Sequence, residues 1–184
     1  MPWQPNPQLP QAEFEGPILQ NCLTILTRDF KEALDYHFLD SPTYLTRYGV
    51  ANNVGASGAD LDDFQERSLG PPLRNVFPCL GVEPVTNKVT EADDGSHFLE
   101  VARVQLNLAV TADGPDAVTI LIMKYVAMVT RVLTQARWEL VEGLSNPFGV
   151  ILVDFDHLYD RTRETNSVIT RAAAVIMGIG FREG

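Results

Sequence analysis

The arrangement in this chain that most resembles a metal-binding site is Asp154-Phe-Asp156 followed directly by His157. Carboxylate and imidazole groups are common metal ligands. However, the surrounding residues alternate as in a strand, and a strand sends successive side chains to opposite faces. Asp154 and Asp156 therefore share one face, whereas His157 points to the other. We expect a solvated acidic strand face here and no metal site.

The remaining candidates lack partner residues at a useful spacing. Asp60, Asp62 and Asp63 are not followed by the twelve-residue ligand pattern of a calcium loop. The glycine-rich segment 49–58 is not followed by the Lys-Ser or Lys-Thr pair of a phosphate-binding loop. Cys79 has no adjacent base in the sequence that would activate a thiol. We therefore expect no catalytic residue, no metal and no cofactor, and the chain is predicted not to be an enzyme.

Charge and composition argue against DNA-binding, secreted and membrane-spanning proteins. The 184 residues include 14 Lys and Arg against 24 Asp and Glu, which gives a net charge of -10. A chain with this charge repels the phosphate backbone, so we do not expect a sequence-specific DNA-binding protein. Cys22 and Cys79 lie in apolar runs and are expected to be buried free thiols in a reducing compartment. The apolar stretch 118–133 is interrupted by polar residues, and the first residues have no signal-peptide pattern. We expect an intracellularly made protein without a membrane span.

The periodic segments predict one α+β domain over residues 16–184. The predicted order is α-β-β-α-β-β, with an antiparallel sheet of about four strands, formed by two hairpins, and two long helices packed on one face. In the clearest strand, alternate residues are apolar and should face the helices. The predicted helices span 17–38 and 115–137, and the predicted strands span 76–89, 97–111, 148–159 and 168–181.

Two segments show neither the helical nor the strand period of apolar residues. Four of the 12 prolines lie in the first ten residues, which predicts an extended arm over 1–15. Residues 43–74 are predicted to be a long loop with one short helical turn near 61–67, and loops of this length usually have a function. The arm carries Trp3 and Phe14, so it is either a frayed terminus or a strap over a neighbouring subunit.

The second predicted helix is apolar beyond its core stripe. Ile120, Met123 and Met128 extend the apolar surface to the flank, and such a helix is covered on more than one side. These three residues, with Trp3 and Phe14, are the candidates for contacts between subunits.

The layout resembles a family of phage proteins. A long helix and a loop precede the strand Asn-Val-Phe-Pro-Cys-Leu-Gly-Val-Glu-Pro (75–84), an acidic hairpin, and the strand Val-Ala-Arg-Val-Gln-Leu-Asn-Leu-Ala-Val (101–110). Asp-Gly-Pro-Asp-Ala (113–117) then begins a long helix that ends in Thr-Arg-Val-Leu (130–133), and a final hairpin follows. Over residues 17–181 this order is similar to the tail terminator, or tail completion, proteins of bacteriophages and their neck relatives.

The resemblance implies a structural virion protein of the tail or neck, made in the host cytoplasm. It implies a homohexameric ring on the last ring of the tail tube, which stops tube growth and docks on the head-side connector or stopper protein; the sheath is a further candidate partner. DNA would pass through without specific binding. The alternatives are a neck adaptor or stopper of the same particle, and a small-ligand-binding or enzymatic ferredoxin-like domain.

In such a ring, acidic side chains that line the channel would repel DNA phosphates and keep the DNA mobile. The candidates are the acidic residues that turn chemistry or alternation places in solvent. They are Asp60, Asp62, Asp63, Glu91, Asp93, Asp94, Asp154 and Asp156.

Overall fold

A computed structural model describes residues 15–37, 62–74, 76–91, 98–143, 147–165 and 168–183. Within these residues, two long helices and six strands form the fold, in an order close to the predicted one. The elements are α1 (Glu15–Asp35), β1 (Glu66–Leu69), β2 (Cys79–Glu91), β3 (Phe98–Ala112), α2 (Pro115–Gln135), a short 3-10 turn (Glu139–Val141), β4 (Pro147–Tyr159), β5 (Arg163–Thr165) and β6 (Val168–Glu183).

The sheet has the strand order β1-β2-β3-β6-β4, and β5 also pairs with β6. The α+β class is confirmed, with the predicted order of the main elements. Two details are wrong: the sheet has six strands instead of about four, and it is mixed, because β1 pairs with β2 in parallel. The extra strands β1 and β5 are short and polar, so neither has the alternation that announces a strand in sequence.

The central strand β3 separates the two faces of the sheet as predicted. Ala102, Val104, Leu106, Leu108 and Val110 are buried beneath the helices. The alternating positions Arg103, Gln105 and Asn107 are only half-buried and lie on the opposite, uncovered face, which we call the open face. The pairing of β2 with β3 is interrupted by a bulge between Pro84 and Thr86.

Both helices bury the apolar stripes that their spacing predicts. In α1 the buried residues include Cys22, Leu26, Phe30 and Leu34. In α2 the buried set is Val118, Leu121, Ile122, Lys124, Tyr125, Val126, Met128, Val129, Val132 and Leu133. The N-cap of α2 is Gly114, with Pro115 following at the first helical position, and no side chain caps the helix by a hydrogen bond.

An aromatic cluster fixes the segment before β1 against both helices. The rings of Phe30 and Phe64 stack with centroids 4.4 Å apart, and Tyr125 lies 5.5 Å from Phe64. The Tyr125 hydroxyl donates a hydrogen bond to the backbone carbonyl of Asp62. Phe64 is 2% exposed and belongs to the core. The predicted helical turn near 61–67 is absent from the described residues 62–67, which lead into β1.

Candidate functional site

The open face of the sheet carries one of the predicted acidic clusters. Asp154 and Asp156 on β4 both lie beside Arg103 on β3, at 3.8 and 3.7 Å respectively. Asp154 extends over Gly178 on β6, where a Cβ atom would lie 2.0 Å from the Asp154 Oδ1 atom. The absence of a side chain at Gly178 therefore lets the carboxylate reach across β6 towards Arg103. Arg103 therefore lies close to both carboxylates, and they do not form an isolated negative surface.

His157 lies on the other side of β4, as the alternation predicts. Its Nε2 atom is 2.9 Å from the Oγ1 atom of Thr130 on α2. Burial lowers the pKa of His157, while Asp156 opposes this change. Within the described residues, no group of three or more His, Cys, Asp and Glu side chains could hold a metal ion.

The other acidic candidates are distributed over different parts of the molecule. Asp62 is exposed, and Asp63 forms an ion pair with Arg67. Glu91 is the last residue of β2, at the end of the sheet where it pairs with Phe98. Asp60, Asp93 and Asp94 lie outside the described residues, so the lumen assignment remains a prediction.

The flank of α2 is partly available for contacts. Met123 is 36% exposed and Ile120 is half-buried, whereas Met128 is fully buried in the core of the chain. Met128 therefore packs within the subunit and does not reach a neighbour. Trp3 and Phe14 lie outside the described residues. In the described part of the chain, α2 is long and apolar enough for a membrane span by length and composition, and 56% of the relevant window is buried inside the fold.

Exposed apolar side chains occur on the outer strands of the sheet, which the sequence analysis did not anticipate. Leu69 and Val85 lie on β1 and β2 at one edge, and Leu158 and Tyr159 lie on β4 at the other; Leu73 and Val76 precede β2, and Val168 begins β6. Leu73 is 77% exposed. Alternation in each strand could not reveal this pattern, since it does not show which strands are outermost.

Both cysteines are free and buried, as predicted. Burial raises the pKa of Cys22 to about 12 and that of Cys79 to about 11. Glu66 also raises the Cys79 pKa, and Arg74 opposes it. Neither thiol is activated for nucleophilic chemistry, which requires a lowered pKa.

Comparisons with known proteins include a structural likeness to a virion particle. No protein-family model matches the chain, and no curated protein matches it. A chain of the virion of a native gene transfer agent particle is similar over 94% of this chain and 100% of its own length, with 13% identity and a TM-score of 0.45. A likeness at this level does not decide between functions.

Proposed function

We propose that this chain is a structural virion protein, namely a tail terminator that forms a homohexameric ring at the head-proximal end of a phage tail tube. In this role it stops tube growth and joins the tail to the head-side connector. The observation that carries the proposal is the order of the main elements, in which the segments that resemble the family occupy the expected strands and helix. The segment 75–84 leads into β2, 101–110 lies in β3, and 113–117 begins α2.

The two apolar edges support ring formation. A ring of identical subunits needs two different surfaces that fit each other, because each subunit contacts its neighbours head to tail. The β1–β2 edge and the β4–β5 edge lie on opposite sides of the sheet, and each carries exposed apolar side chains. Contact between the two edges of neighbouring copies would bury both sets. It would also cover strand edges that are open to pairing with another chain.

The acidic balance is compatible with a channel for DNA. A net charge of -10 disfavours stable contacts with phosphates, so DNA would slide through such a ring. The pairing of Asp154 and Asp156 with Arg103 makes the open face less negative than the sequence suggests. Asp63 is likewise paired with Arg67, so Asp60, Asp62, Glu91, Asp93 and Asp94 are the better candidates for the lining.

Ring formation is tested directly by native mass spectrometry and negative-stain imaging of the purified chain. We expect six-fold rings, and we expect these rings to bind the end of purified tail tubes and prevent further growth. A monomer at all concentrations would contradict the proposal. Rings that bind the connector but not the tube would favour the stopper position instead.

The edge contact is tested with a matched pair of variants. Leu158 at the β4–β5 edge and Tyr36 at the end of α1 are both 56% exposed. Leu158→Ser should weaken ring assembly, because it removes an apolar group from the proposed interface. Tyr36→Ser should leave assembly unchanged. Equal assembly of the two variants would show that this edge is not the contact.

The arm is tested by deletion of residues 2–14. The truncated chain should remain folded with a nearly unchanged thermal midpoint, since no described core residue precedes Ile18. Ring assembly or docking should weaken, because the arm is proposed to lie over a neighbouring subunit. If the truncated chain fails to fold, the arm belongs to the core and its proposed role is wrong.

A further inference from the structure

A small cavity at one end of the sheet is lined by arginine side chains. Arg74, Arg161 and Arg163 line it, and Asp160 is the one carboxylate among the described lining residues. The cavity has a volume of about 30 Å³ and is partly open to solvent. These three guanidinium groups and the carboxylate together carry a formal charge of +2, whereas the whole chain has a net charge of -10. This end of the sheet therefore differs in sign from the molecule as a whole.

The floor of the cavity lies on the open face of the sheet. Ala109 on β3 and Ala172 on β6 pair directly across the two strands and form the floor. Thr170 lies on the same face of β6, two residues before Ala172, and pairs with Arg163 on β5. Because the side chains of the floor are small, the space between the two walls is left open. A small group can therefore approach the arginines from solvent.

One wall of the cavity is the turn between β4 and β5, which carries Arg161 and Arg163. The Asp160 amide donates to the Ala172 carbonyl at 3.0 Å, and the Asp160 carboxylate lies 3.5 Å from Arg163. Arg171 also borders the cavity, but its side chain leaves the helix-covered face of β6 and donates to a hydroxyl group of α2. Its Nε–H group donates to the Asp160 carbonyl at 3.1 Å. Arg171 therefore holds the turn in place and is not counted among the ligands.

The other wall is the segment before β2, which carries Arg74 and Phe77. The Leu73 amide donates to the Glu66 Oε1 atom on β1 at 2.6 Å, and Pro72 packs closely over the backbone of β2. Glu66 does not itself line the cavity. Arg74 has a φ of 58°, in the left-handed region that residues with a Cβ atom rarely adopt. The backbone next to Arg74 is thus fixed to the sheet, and both walls are anchored before any ligand binds.

We infer that this cavity binds a phosphate dianion, which is either free inorganic phosphate or the terminal phosphate of a small monoester such as a nucleotide. Guanidinium groups bind anionic oxygens by paired, charge-assisted hydrogen bonds. Arginines from two walls line one small space, and a tetrahedral phosphate presents oxygens in more than one plane, whereas a carboxylate is planar. A phosphate monoester carries a charge of about -1.5 to -2 at pH 7. This charge matches the formal charge of +2 on the cavity.

The net charge of the chain is compatible with such a site. Salt screens the repulsion from distant carboxylates beyond about 8–10 Å, whereas paired hydrogen bonds act at contact. A nucleic-acid backbone instead requires a longer basic surface, and each of its phosphodiester groups carries a single negative charge. The inference therefore concerns one terminal or free phosphate group and not DNA that slides past the chain. It goes beyond the proposed ring function and does not depend on it, since every residue of the cavity belongs to one copy.

The test is isothermal titration calorimetry of the full chain with sodium phosphate, at low salt in a buffer without other oxyanions. One cavity variant is Arg161→Ala with Arg163→Ala, and the other is Arg74→Ala on the opposite wall. The matched control is Arg28→Ala with Lys31→Ala, which removes two positive charges from exposed residues of α1. Thermal unfolding followed by circular dichroism establishes that each variant is folded.

We expect one phosphate to bind each unaltered chain with a Kd of about 1 mM or lower. The double cavity variant should bind at least about tenfold more weakly, and Arg74→Ala at least about fivefold more weakly, because each loses charge-assisted hydrogen bonds. The control variant should bind within about twofold of the unaltered chain, as for exposed charges that salt screens. Absence of binding to the unaltered chain, equal weakening in the control, or unchanged affinity in Arg74→Ala would overturn the inference.

The choice of ligand tests the phosphate assignment without any variant. Sodium acetate should bind at least about tenfold more weakly than phosphate, because it has one charge and a planar group. Equal binding of acetate, or binding of adenosine as tight as that of adenosine 5′-monophosphate, would overturn the assignment. Equal binding of phosphate and the monophosphate would identify the free phosphate group as sufficient, and tighter binding of the monophosphate would identify a nucleotide.

The same proteins separate this inference from the ring function. Six-fold rings without phosphate binding would overturn the cavity assignment and leave the proposed function intact. Cavity-dependent phosphate binding by a chain that stays monomeric would support the phosphate site while contradicting the ring.

Discussion

Gly81 lies where the chain before β2 folds back over the open face. It pairs with Ser68 on β1 and with Asn107 on β3. A Cβ atom at this position would lie 2.3 Å from the Gly70 carbonyl oxygen and 2.4 Å from the Pro72 Cδ atom. Both atoms belong to the backbone or to a rigid ring, so the change Gly81→Ala requires the segment 70–72 to move.

The size of the effect follows from these contacts. The segment must move by roughly 1 Å to restore ordinary contact distances, and overpacking of this kind typically costs about 1–3 kcal/mol. The movement also strains the hydrogen bond from the Gly70 amide to the Val82 carbonyl, which is 2.7 Å long. Its loss would add about 0.5–1.5 kcal/mol. We therefore expect Gly81→Ala to lower the free energy of unfolding by about 1.5–4.5 kcal/mol.

The assay is urea denaturation followed by circular dichroism, with hydrogen exchange to locate the change. Exchange should increase in β1 and the segment 70–74 before the rest of the sheet is affected. The matched control is Gly16→Ala in the first turn of α1, where nothing lies within 4 Å of a Cβ atom. It should be neutral or stabilising by up to about 1 kcal/mol. If Gly81→Ala is as stable as the unaltered chain, the close approach of segment 70–72 to β2 is wrong.

Three further predictions address the core, the thiols and a histidine. Leu106→Ala should cost about 2–5 kcal/mol of unfolding free energy because Leu106 is fully buried, whereas Gln105→Ala on the open face should cost only about 0.5–1.5 kcal/mol, because it loses one hydrogen bond to Asn107. Equal costs of the two variants in urea denaturation would contradict the assignment of the two faces of β3. Cys22 and Cys79 should react with iodoacetamide at about pH 8 only after unfolding, because burial raises both pKa values; rapid labelling of the folded chain, measured by mass spectrometry, would refute this. The lowered pKa of His157 favours its neutral form in the fold, so the unfolded chain binds more protons below about pH 6.5 and stability should fall as the pH drops from about 7.5 to about 5.5. The His157→Gln variant should show a smaller fall in denaturant midpoint over this range, and an equal fall would exclude His157 as a source of the pH dependence.

The sequence by itself determined the main elements and their buried faces. The stripes of α1 and α2 and the alternation of β3 are local periods, and each period decides which side chains can share a face. The same reasoning correctly separated His157 from Asp154 and Asp156. These features depend on residues that are near each other in the chain, so a pattern in sequence is sufficient to find them.

Only the tertiary structure decided which distant segments meet. The parallel pairing of β1 with β2 was not predicted because the residues Glu-Arg-Ser-Leu have no strand pattern, and their position depends on Phe64 packing with Phe30 and Tyr125. Met128 is apolar like its neighbours, but packing within the subunit buries it completely. The position of Leu69, Val85, Leu158 and Tyr159 on the outer strands likewise depends on strand order. Their physical basis is contact between segments far apart in the chain, which local periodicity does not encode.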